Sequence, residues 1–540
     1  MTARALVIGI DAADLDVVTA IGRARLPALF SLMDRGAFAR LESVLPAATL
    51  PNWTTFLTGV NPGAHGVFDF TTRSGYSVRF TAGTVRAAPT IASRLDAMGL
   101  ACACIGFPAT WPPEKLEHGV FMSGWDAPVA FEADRSFVWP PPLYDEIVAR
   151  FGAPRFDDVD EFDAGSSGWH AALAPALVAR IERRVELLEW LLERRRWDLF
   201  AAYFGEADTA AHHLWSLHDE RSPRRPAGVG AREQDGLARV YEALDRAVAA
   251  LVTRAGSGTE VTIVSDHGSG GASDKVLYIN RALADAGLAT LREGRATTSV
   301  ATRMKDIALT RLPARLRERV FRSFDTALPS WLESRARFGG LDMQRTIAFS
   351  DELNYFPAVH LNVRGREPLG RVRACDVARA RRDVSDALLA LRDPFTGAPV
   401  VAGVHAREDL FQGPYVERAP DLILELTLDA GYSYNVMPSA HAPRGAGAFR
   451  RLGPDEYLGR KGRSLPGSHR RHGLFVAAGP SVERAGELRA RMADATATVL
   501  ARLGVSASAR GDGRALDEVI LDRAAEARVA TRLRALGYIE

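Results

Sequence analysis

Carboxylates and histidines follow short apolar runs at several points of this 540-residue sequence. Asp208 and His212, in EADTAAHH, are four residues apart, so a helix would place them on one face, where they could bind one metal ion together. Asp266 and His267 follow VTIVS and precede small residues that leave room for a ligand, and Asp11 follows LVIGI. Oxygen and nitrogen ligands suit zinc, with manganese or iron as alternatives. A helix N-cap or a carboxylate–histidine hydrogen bond would explain the same residues without a metal.

A threonine and a further histidine could complete such a site. Thr49 precedes LPNWTTFLTG, in which Pro51 suits the first turn of a helix and Gly59 suits its end. A helix N-terminus attracts a phosphate-sized anion, and a hydroxyl there is well placed to act as a nucleophile. Thr49 could equally be an ordinary N-cap. His469 lies in GSHR before another apolar run, although surface loops also carry histidines without a function.

The elements that would position these residues alternate along the chain. Short apolar runs predict buried strands, and segments 176–195 and 235–254 have the apolar spacing of amphipathic helices. This alternation predicts an α/β fold in which helices cover both faces of a sheet. Ligands of such sheets bind at the carboxyl ends of the strands, where most of the candidate residues lie. The predicted strands are Leu6–Ile10, Leu199–Phe204, Val261–Val264, Val359–Val363, Leu422–Leu426 and Leu474–Ala478.

Taken together, these motifs are similar to those of the type I phosphodiesterase/nucleotide pyrophosphatase family, which belongs to the alkaline phosphatase superfamily. The resemblance rests on GIDAAD, LPAATLPNWTTFLTGVNPGAHGVFDF, EADTAAHHLW, IVSDHG and GSHRRHG, in that order. It extends over most of the chain through NVRGREPLG, RAPDLIL, DATATVLARLG and DGRAL. It implies an alkaline-phosphatase-like fold, a three-layer α/β/α sandwich with a mostly parallel central sheet and helical or loop-rich cap insertions.

The resemblance also implies a two-metal site, usually occupied by zinc. It assigns the first ion to Asp208, His212 and His469, and the second to Asp11, Asp266, His267 and the Thr49 oxygen. Asn52 matches the asparagine with which nucleotide pyrophosphatases hold a phosphoryl oxygen. The sequence departs from the better-studied members in having Leu50 where many have an aromatic residue, and Trp53 where they typically have a histidine.

The function implied is metal-dependent hydrolysis of a small phosphodiester or nucleotide. Thr49 would attack the phosphorus, and water would then hydrolyse a phosphothreonine intermediate. A phosphomonoesterase or phosphomutase of the same superfamily is the nearest alternative, and Asn52 favours the diesterase. A sulfatase is disfavoured, because TLPNW lacks the Cys or Ser and the Arg of the sulfatase motif. A non-catalytic binding relative would be expected to have lost ligands, and a headgroup transferase to have transmembrane segments.

Two regions interrupt the alternation and are interpreted as insertions in a single catalytic domain spanning residues 1–540. Residues 75–170 are rich in Pro, Trp and Phe, which predicts a loop-rich insertion or cap. Residues 290–340 have apolar residues at four-residue spacing with many arginines between them. This pattern predicts a basic amphipathic helical insertion that packs over the sheet or, as an alternative, contacts a lipid surface.

Composition limits the remaining possibilities. Hydrophobic residues make up 47% and charged residues 25%, as in soluble globular proteins. Lys and Arg number 68 against 66 Asp and Glu, without the basic excess of a protein that binds nucleic acid through phosphates. The three cysteines form no CxxC motif, so neither a disulfide scaffold nor a zinc ribbon is indicated. No apolar run suits a signal peptide or a transmembrane helix, which predicts a cytoplasmic protein. No motif indicates an oligomeric state.

Overall fold

Strands and helices alternate along most of the described chain. The computed structural model describes residues 3–124, 134–152, 164, 166–292, 337–338, 340–352, 357–443, 445–459, 464–482, 486–505 and 511–516. Nearly all of the basic insertion expected at 290–340 lies outside these residues, and its helices stay a prediction. Among the helices of the described ranges, none is both long and apolar enough to cross a membrane.

The largest sheet contains nine strands within the described residues. Across the sheet, they are β20 (Gly486–Arg491), β2 (Ala37–Glu42), β19 (His472–Ala478), β9 (Glu260–Val264), β1 (Ala3–Ile10), β8 (Trp197–Phe204), β5 (Cys102–Ile105), β6 (Val120–Met122) and β7 (Val138–Trp139). Five of their eight pairs are parallel. The antiparallel pairs are those that β19 makes with both neighbours and the pair of β6 with β7. The expected mostly parallel central sheet is therefore confirmed.

The strands β1, β8 and β9 lie side by side at the centre of this sheet and end together. β1 is parallel to both neighbours, with Ile10 paired to Phe204 and Gly9 paired to Val264. Their apolar runs are buried because helices cover both faces of the sheet. The residues that follow these three strands consequently meet at one edge of the sheet.

The helices pack in two main groups. The first contains α2 (Pro27–Arg35), α7 (Trp169–Glu193), α8 (Glu206–His218) and α10 (Gly236–Ala255). The second contains α3 (Thr49–Thr58), α5 (Ile91–Asp96) and α14 (Met492–Arg502). The other α-helices of the described chain are α1 (Leu15–Ile21), α4 (Pro62–His65), α6 (Pro142–Phe151), α9 (Ala231–Gln234), α11 (Ile279–Asp285), α12 (Val377–Leu389) and α13 (Arg407–Leu410). The two groups and the sheet form the layers of an α/β sandwich.

Outside the large sheet, the described residues form two smaller sheets and a hairpin. One sheet contains β15 (Leu428–Asp429), β16 (Tyr432–Val436), β10 (Gly268–Leu277), β17 (Phe449–Arg451) and β18 (Gly467–Arg470). The other is antiparallel and contains β11 (Ala348–Phe349), β12 (Ala358–Leu361), β14 (Leu422–Leu426) and β13 (Val401–Ala406). The hairpin pairs β3 (Thr71–Ser74) with β4 (Ser77–Phe80). In the β10–β18 pair, Ser269 lies opposite His469, which brings that histidine beside the turn formed by Asp266 and His267.

All six predicted strands are present, but they are divided between two sheets. Four belong to the large sheet, whereas the apolar runs at 359–363 and 422–426 correspond to β12 and β14 of the small antiparallel sheet. The region 75–170 also differs from a loop-rich insertion, because β5, β6 and β7 extend the large sheet. These strands have two to four residues each, which is too short for a periodic pattern to show in the sequence.

Candidate active site

One cluster of candidate ligands combines side chains from α8 and from β18, a strand of the smaller sheet that contains β10. Asp208 and His212 lie one turn apart on α8, with 3.1 Å between Asp208 Oδ1 and His212 Nε2. His469 comes from β18, and its Nε2 lies 3.0 Å from His212 Nε2 and 3.7 Å from Asp208 Oδ1. The structure therefore brings together the three side chains that the family resemblance assigned to a first ion.

A second cluster lies where β1 and β9 end. His267 Nε2 is 3.4 Å from Asp11 Oδ1 and 3.2 Å from Asp266 Oδ2, and all three residues are buried. The His267 ring also stacks on the ring of His469, with centroids 3.7 Å apart. A ligand atom of His267 lies within 4.8 Å of those of Asp208 and His469 as well as those of Asp11 and Asp266. His267 thus lies between the two clusters.

Thr49 is the first residue of α3 rather than its N-cap. The N-cap is Ala48, which has no side-chain acceptor to cap the helix. The helix ends at Gly59 in the left-handed conformation, with φ of 75°, as the sequence predicted. The Thr49 hydroxyl therefore does not act as an ordinary cap. Its Oγ1 lies 3.3 Å from His267 Nε2, beside the second cluster.

The three histidines of these clusters share one tautomer. Each directs Nδ1 to a backbone carbonyl oxygen, which can only accept a hydrogen bond, so Nδ1 carries the proton. The bonds run from His212 to Gly467 at 3.2 Å, from His469 to Ala47 at 2.8 Å and from His267 to Gly268 at 3.0 Å. In the neutral ring, the Nε2 lone pair then points into the cluster, as is required of a metal ligand.

Burial determines the charges of these groups. It lowers the pKa of His267 to about 4 and that of His469 well below its ordinary value, so both imidazoles are neutral at pH 7. Burial, together with the charge of Asp208, raises the pKa of Asp11 to about 7, and burial also raises the pKa of Asp266. For Asp208, burial is outweighed by the adjacent His212, which when protonated holds the pKa of Asp208 below its ordinary range by its charge and a hydrogen bond. Neutral imidazoles beside crowded carboxylates favour the binding of a cation.

The sequence matches a profile of type I phosphodiesterases/nucleotide pyrophosphatases over residues 5–447. The chain belongs to this family. Type I phosphodiesterases/nucleotide pyrophosphatases are hydrolases of the alkaline phosphatase superfamily and generally depend on divalent metals, and the chain is a phosphoric ester hydrolase of this kind. The sequence has no significant match among curated proteins.

Solved structures with a similar fold include other hydrolases. Phosphonoacetate hydrolase from Sinorhizobium meliloti 1021, in complex with phosphonoformate, superposes with a TM-score of 0.54 at 18% identity, covering 94% of this chain and 96% of that chain. The inactive T72A variant of murine ectonucleotide pyrophosphatase/phosphodiesterase 5, in complex with AMP, superposes with a TM-score of 0.48 at 13% identity, with coverages of 94% and 96%. The first of these comparisons supports an alkaline-phosphatase-like fold for this phosphodiesterase family member.

Two buried carboxylate oxygens make the site fit the metal dependence of the family. Asp11 Oδ1 and Asp266 Oδ2 accept no hydrogen bond from any donor group of the described chain. A buried carboxylate oxygen without a donor is costly, and a bound cation removes that cost. Nitrogen and oxygen donors in groups of three are also the ligand sets of catalytic zinc sites. The residues present are therefore compatible with two divalent ions.

The Asn52 side chain bonds to the loop in front of α3. Its Oδ1 accepts a hydrogen bond from the Val44 amide at 2.7 Å, and its Nδ2 donates to the carbonyl oxygens of Ala48 at 2.9 Å and of Val44 and Pro46 at 3.3 Å. The side chain is completely buried. These bonds hold the backbone that carries Thr49, whereas a contact with a phosphoryl oxygen stays a prediction.

The sequence did not indicate the groups that contact Asp11 itself. Tyr203 Oη donates to Asp11 Oδ2 at 2.7 Å, and Trp53 Nε1 donates to the same oxygen at 3.0 Å. Trp53 stood out only as a departure from the family pattern. The only signal for Tyr203 is a hydroxyl within the otherwise apolar strand LFAAYF, since a buried tyrosine hydroxyl usually has a partner.

Proposed function

We propose that the protein hydrolyses phosphodiesters, with Thr49 as the nucleophile and two divalent cations, zinc by preference, at the clusters described above. Asp208, His212 and His469 would hold one cation, and Asp11, Asp266 and the Thr49 oxygen would hold the other with His267. The observation that carries the proposal is the position of Thr49 Oγ1, 3.3 Å from His267 Nε2 at the junction of the two clusters.

The charges of the site suit an anionic substrate. Three carboxylates and two divalent cations would leave one net positive charge at the edge of the sheet, which attracts a phosphodiester anion. The N-terminus of α3, where no side chain caps the helix, adds amide groups and a favourable dipole next to Thr49. The substrate phosphoryl group would thus be held against the Thr49 hydroxyl by charge and by backbone donors.

The proposed reaction has two displacements at phosphorus. Thr49 Oγ1 bonds to phosphorus as the first alcohol leaves, and water then cleaves the phosphothreonine and releases a phosphomonoester. When bound, the cations would neutralise the charge on the attacking and leaving oxygens. The chain itself positions Thr49 through α3 and keeps the imidazoles of His267 and His469 neutral by burial.

Thr49→Ala tests the nucleophile. We expect metal-loaded Thr49→Ala to lose turnover of bis(p-nitrophenyl) phosphate by at least about a thousandfold, because the hydroxyl that would form the intermediate is removed. Metal content should stay close to two ions per chain. Thr58→Ala is the matched control: its hydroxyl donates to Thr54 O on the same helix and should be dispensable for turnover. Undiminished turnover by Thr49→Ala would refute the assignment.

The same preparation distinguishes a diesterase from a monoesterase. The loaded protein should hydrolyse bis(p-nitrophenyl) phosphate with a higher kcat/KM than p-nitrophenyl phosphate. The family supports this preference. A higher kcat/KM for the monoester would favour a phosphomonoesterase or phosphomutase instead. Location in the cytoplasm and the lack of a nucleic-acid partner stay predictions of the sequence.

A further inference from the structure

One oxygen of the Asp11 carboxylate is held by two donors, while the other is held by none. Asp11 Oδ2 accepts hydrogen bonds from Tyr203 Oη at 2.7 Å and from Trp53 Nε1 at 3.0 Å. Asp11 Oδ1 accepts none within the described chain, and it lies 3.4 Å from His267 Nε2. The two donors therefore distinguish the two oxygens and turn Oδ1 toward the other candidate ligands.

The donors cannot easily move, because they belong to a buried aromatic cluster. The rings of Trp53 and Tyr203 meet edge to face, with centroids 5.4 Å apart. The ring centroid of Phe107 lies 5.3 Å from that of Trp53. Trp53 is completely buried and Tyr203 is 2% exposed. Gly9 lies below the indole ring, where a Cβ atom would come within 2.8 Å of Trp53 Cη2. The ring is thus fixed by neighbours from β1, from β8 and from the loop after β5.

We propose that Trp53 and Tyr203 are positioning residues that direct Asp11 Oδ1 toward a cation, an inference that rests on the proposed metal-dependent function. Outer hydrogen-bond partners of a ligand fix its orientation, and their loss weakens metal binding by about 10- to 100-fold. Trp53 occupies the position at which the sequence departs from the histidine typical of nucleotide pyrophosphatases. Its indole N–H supplies one of the two bonds to Oδ2.

Two conservative substitutions test the proposal without disturbing the ligands. Trp53→Phe and Tyr203→Phe each remove one donor and keep an aromatic ring in place. Their metal-free forms are titrated with Zn²⁺ by calorimetry, and the Kd of each of the two sites is determined. We expect one site to weaken by about tenfold in each variant, and by more in the double variant, while the other site keeps its wild-type Kd.

The controls remove equivalent buried donors elsewhere. Trp197 Nε1 donates to Leu191 O, and Tyr434 Oη donates to Asp393, so Trp197→Phe and Tyr434→Phe lose one bond of the same kind. Both should bind two Zn²⁺ ions as the wild type does. Thermal unfolding of every metal-free variant separates an effect on metal binding from a general loss of stability.

Three results would overturn the inference. Wild-type affinity at both sites in Trp53→Phe and Tyr203→Phe would show that the donors do not position the ligand, while the proposed function would stand. If both sites weaken equally in the test variants, and Trp197→Phe shows the same loss of affinity, the effect would come from general packing and not from the two donors. A wild-type protein that binds no Zn²⁺ would refute the proposed function, and the positioning role would fall with it.

Discussion

His212 and His469 face each other through their Nε2 atoms at 3.0 Å. Each ring already donates its Nδ1 proton to a carbonyl oxygen. Two lone pairs at this distance repel, and no hydrogen bond between them is possible unless one ring gains a second proton. Burial lowers the pKa of His469 and opposes that gain. A cation bound by both nitrogens, as the proposed function requires, would remove this repulsion.

Zinc should stabilise the folded protein. Free Zn²⁺ at 100 times its Kd is expected to raise the free energy of unfolding by about 2.7 kcal/mol for each independent site, because the ion binds the folded state alone. Thermal unfolding of chelator-treated protein, with and without added Zn²⁺, measures the effect. Mg²⁺, which prefers oxygen ligands and retains its water, should raise the Tm much less. An unchanged Tm with Zn²⁺ would contradict the metal site.

Adjacent histidines on α8 should differ in their effect on metal binding. We expect His212→Ala to lose one Zn²⁺ per chain and most of the turnover, because a buried ligand of the first cluster is removed. His213→Ala is the matched control, since the His213 ring packs against Trp169, with centroids 4.9 Å apart. It should keep two ions per chain. Metal analysis after gel filtration measures the number of Zn²⁺ ions per chain. Equal metal content in the two variants would contradict the ligand assignment.

Zinc binding should release more protons at pH 6 than at pH 8. Burial raises the pKa of Asp11 to about 7 in the metal-free protein, so the carboxyl is mostly protonated at pH 6 and mostly ionised at pH 8. His267, with a pKa lowered to about 4 by burial, is neutral at both values and contributes no proton. Affinity for Zn²⁺ should accordingly rise with pH across this range. Calorimetry in buffers of different ionisation enthalpy measures the release, and equal release at both pH values would refute the assignment to Asp11.

Asn52→Ala should lower stability as well as activity. The substitution removes the acceptor of the Val44 amide and one donor each from the carbonyl oxygens of Val44, Pro46 and Ala48, of which the last two keep a backbone donor. The loss is expected to cost about 1–3 kcal/mol of unfolding free energy, chiefly because the Val44 amide loses its partner. A residue that only held a phosphoryl oxygen would reduce kcat/KM and leave unfolding unchanged. Urea unfolding of the metal-free variant distinguishes the two roles. Unfolding identical to wild type, with reduced kcat/KM, would support the substrate contact.

Gly9→Ala should displace the indole ring above it. A Cβ atom at Gly9 would lie 2.8 Å from Trp53 Cη2 and 3.1 Å from Phe107 Cε1, so the ring must shift and its bond to Asp11 must weaken. We expect weaker Zn²⁺ binding in Gly9→Ala. Phenylalanine lacks the displaced ring atoms, so the effect of Gly9→Ala should be smaller in a Trp53→Phe background. Strictly additive effects in this double-mutant cycle would contradict the steric explanation.

The central strands and the clustering of the candidate ligands at their ends could be predicted from the sequence because each depends on a local pattern. The apolar runs ending at Ile10 and Val264 are long enough to indicate buried strands. A carboxylate follows each run within two residues, as Asp11 and Asp266. Parallel strands then place their carboxyl ends at one edge, which determines where a ligand can bind.

The remaining features depend on contacts between distant parts of the chain. Nothing in the sequence pairs Ser269 with His469 across 200 residues, yet that pair brings the last candidate ligand to the cluster. The hydrogen bond from Tyr203 to Asp11 depends on the register between β1 and β8 in the same way. Whether β12 and β14 join the large sheet or form a separate sheet also depends on tertiary packing, because their apolar runs resemble those of the strands in the large sheet.

The pairing of β10 with β18 has a consequence for biosynthesis. A ribosome-bound chain can form the β1–β8–β9 core and the Asp266–His267 turn long before β18 emerges, but the imidazole at position 469 is supplied only by that late strand. Domains acquire their structure progressively during synthesis, and widely separated contacts close last. Under the proposed function, the His469 ligand would therefore be missing until β18 has left the exit tunnel, and metal loading would follow the emergence of that strand.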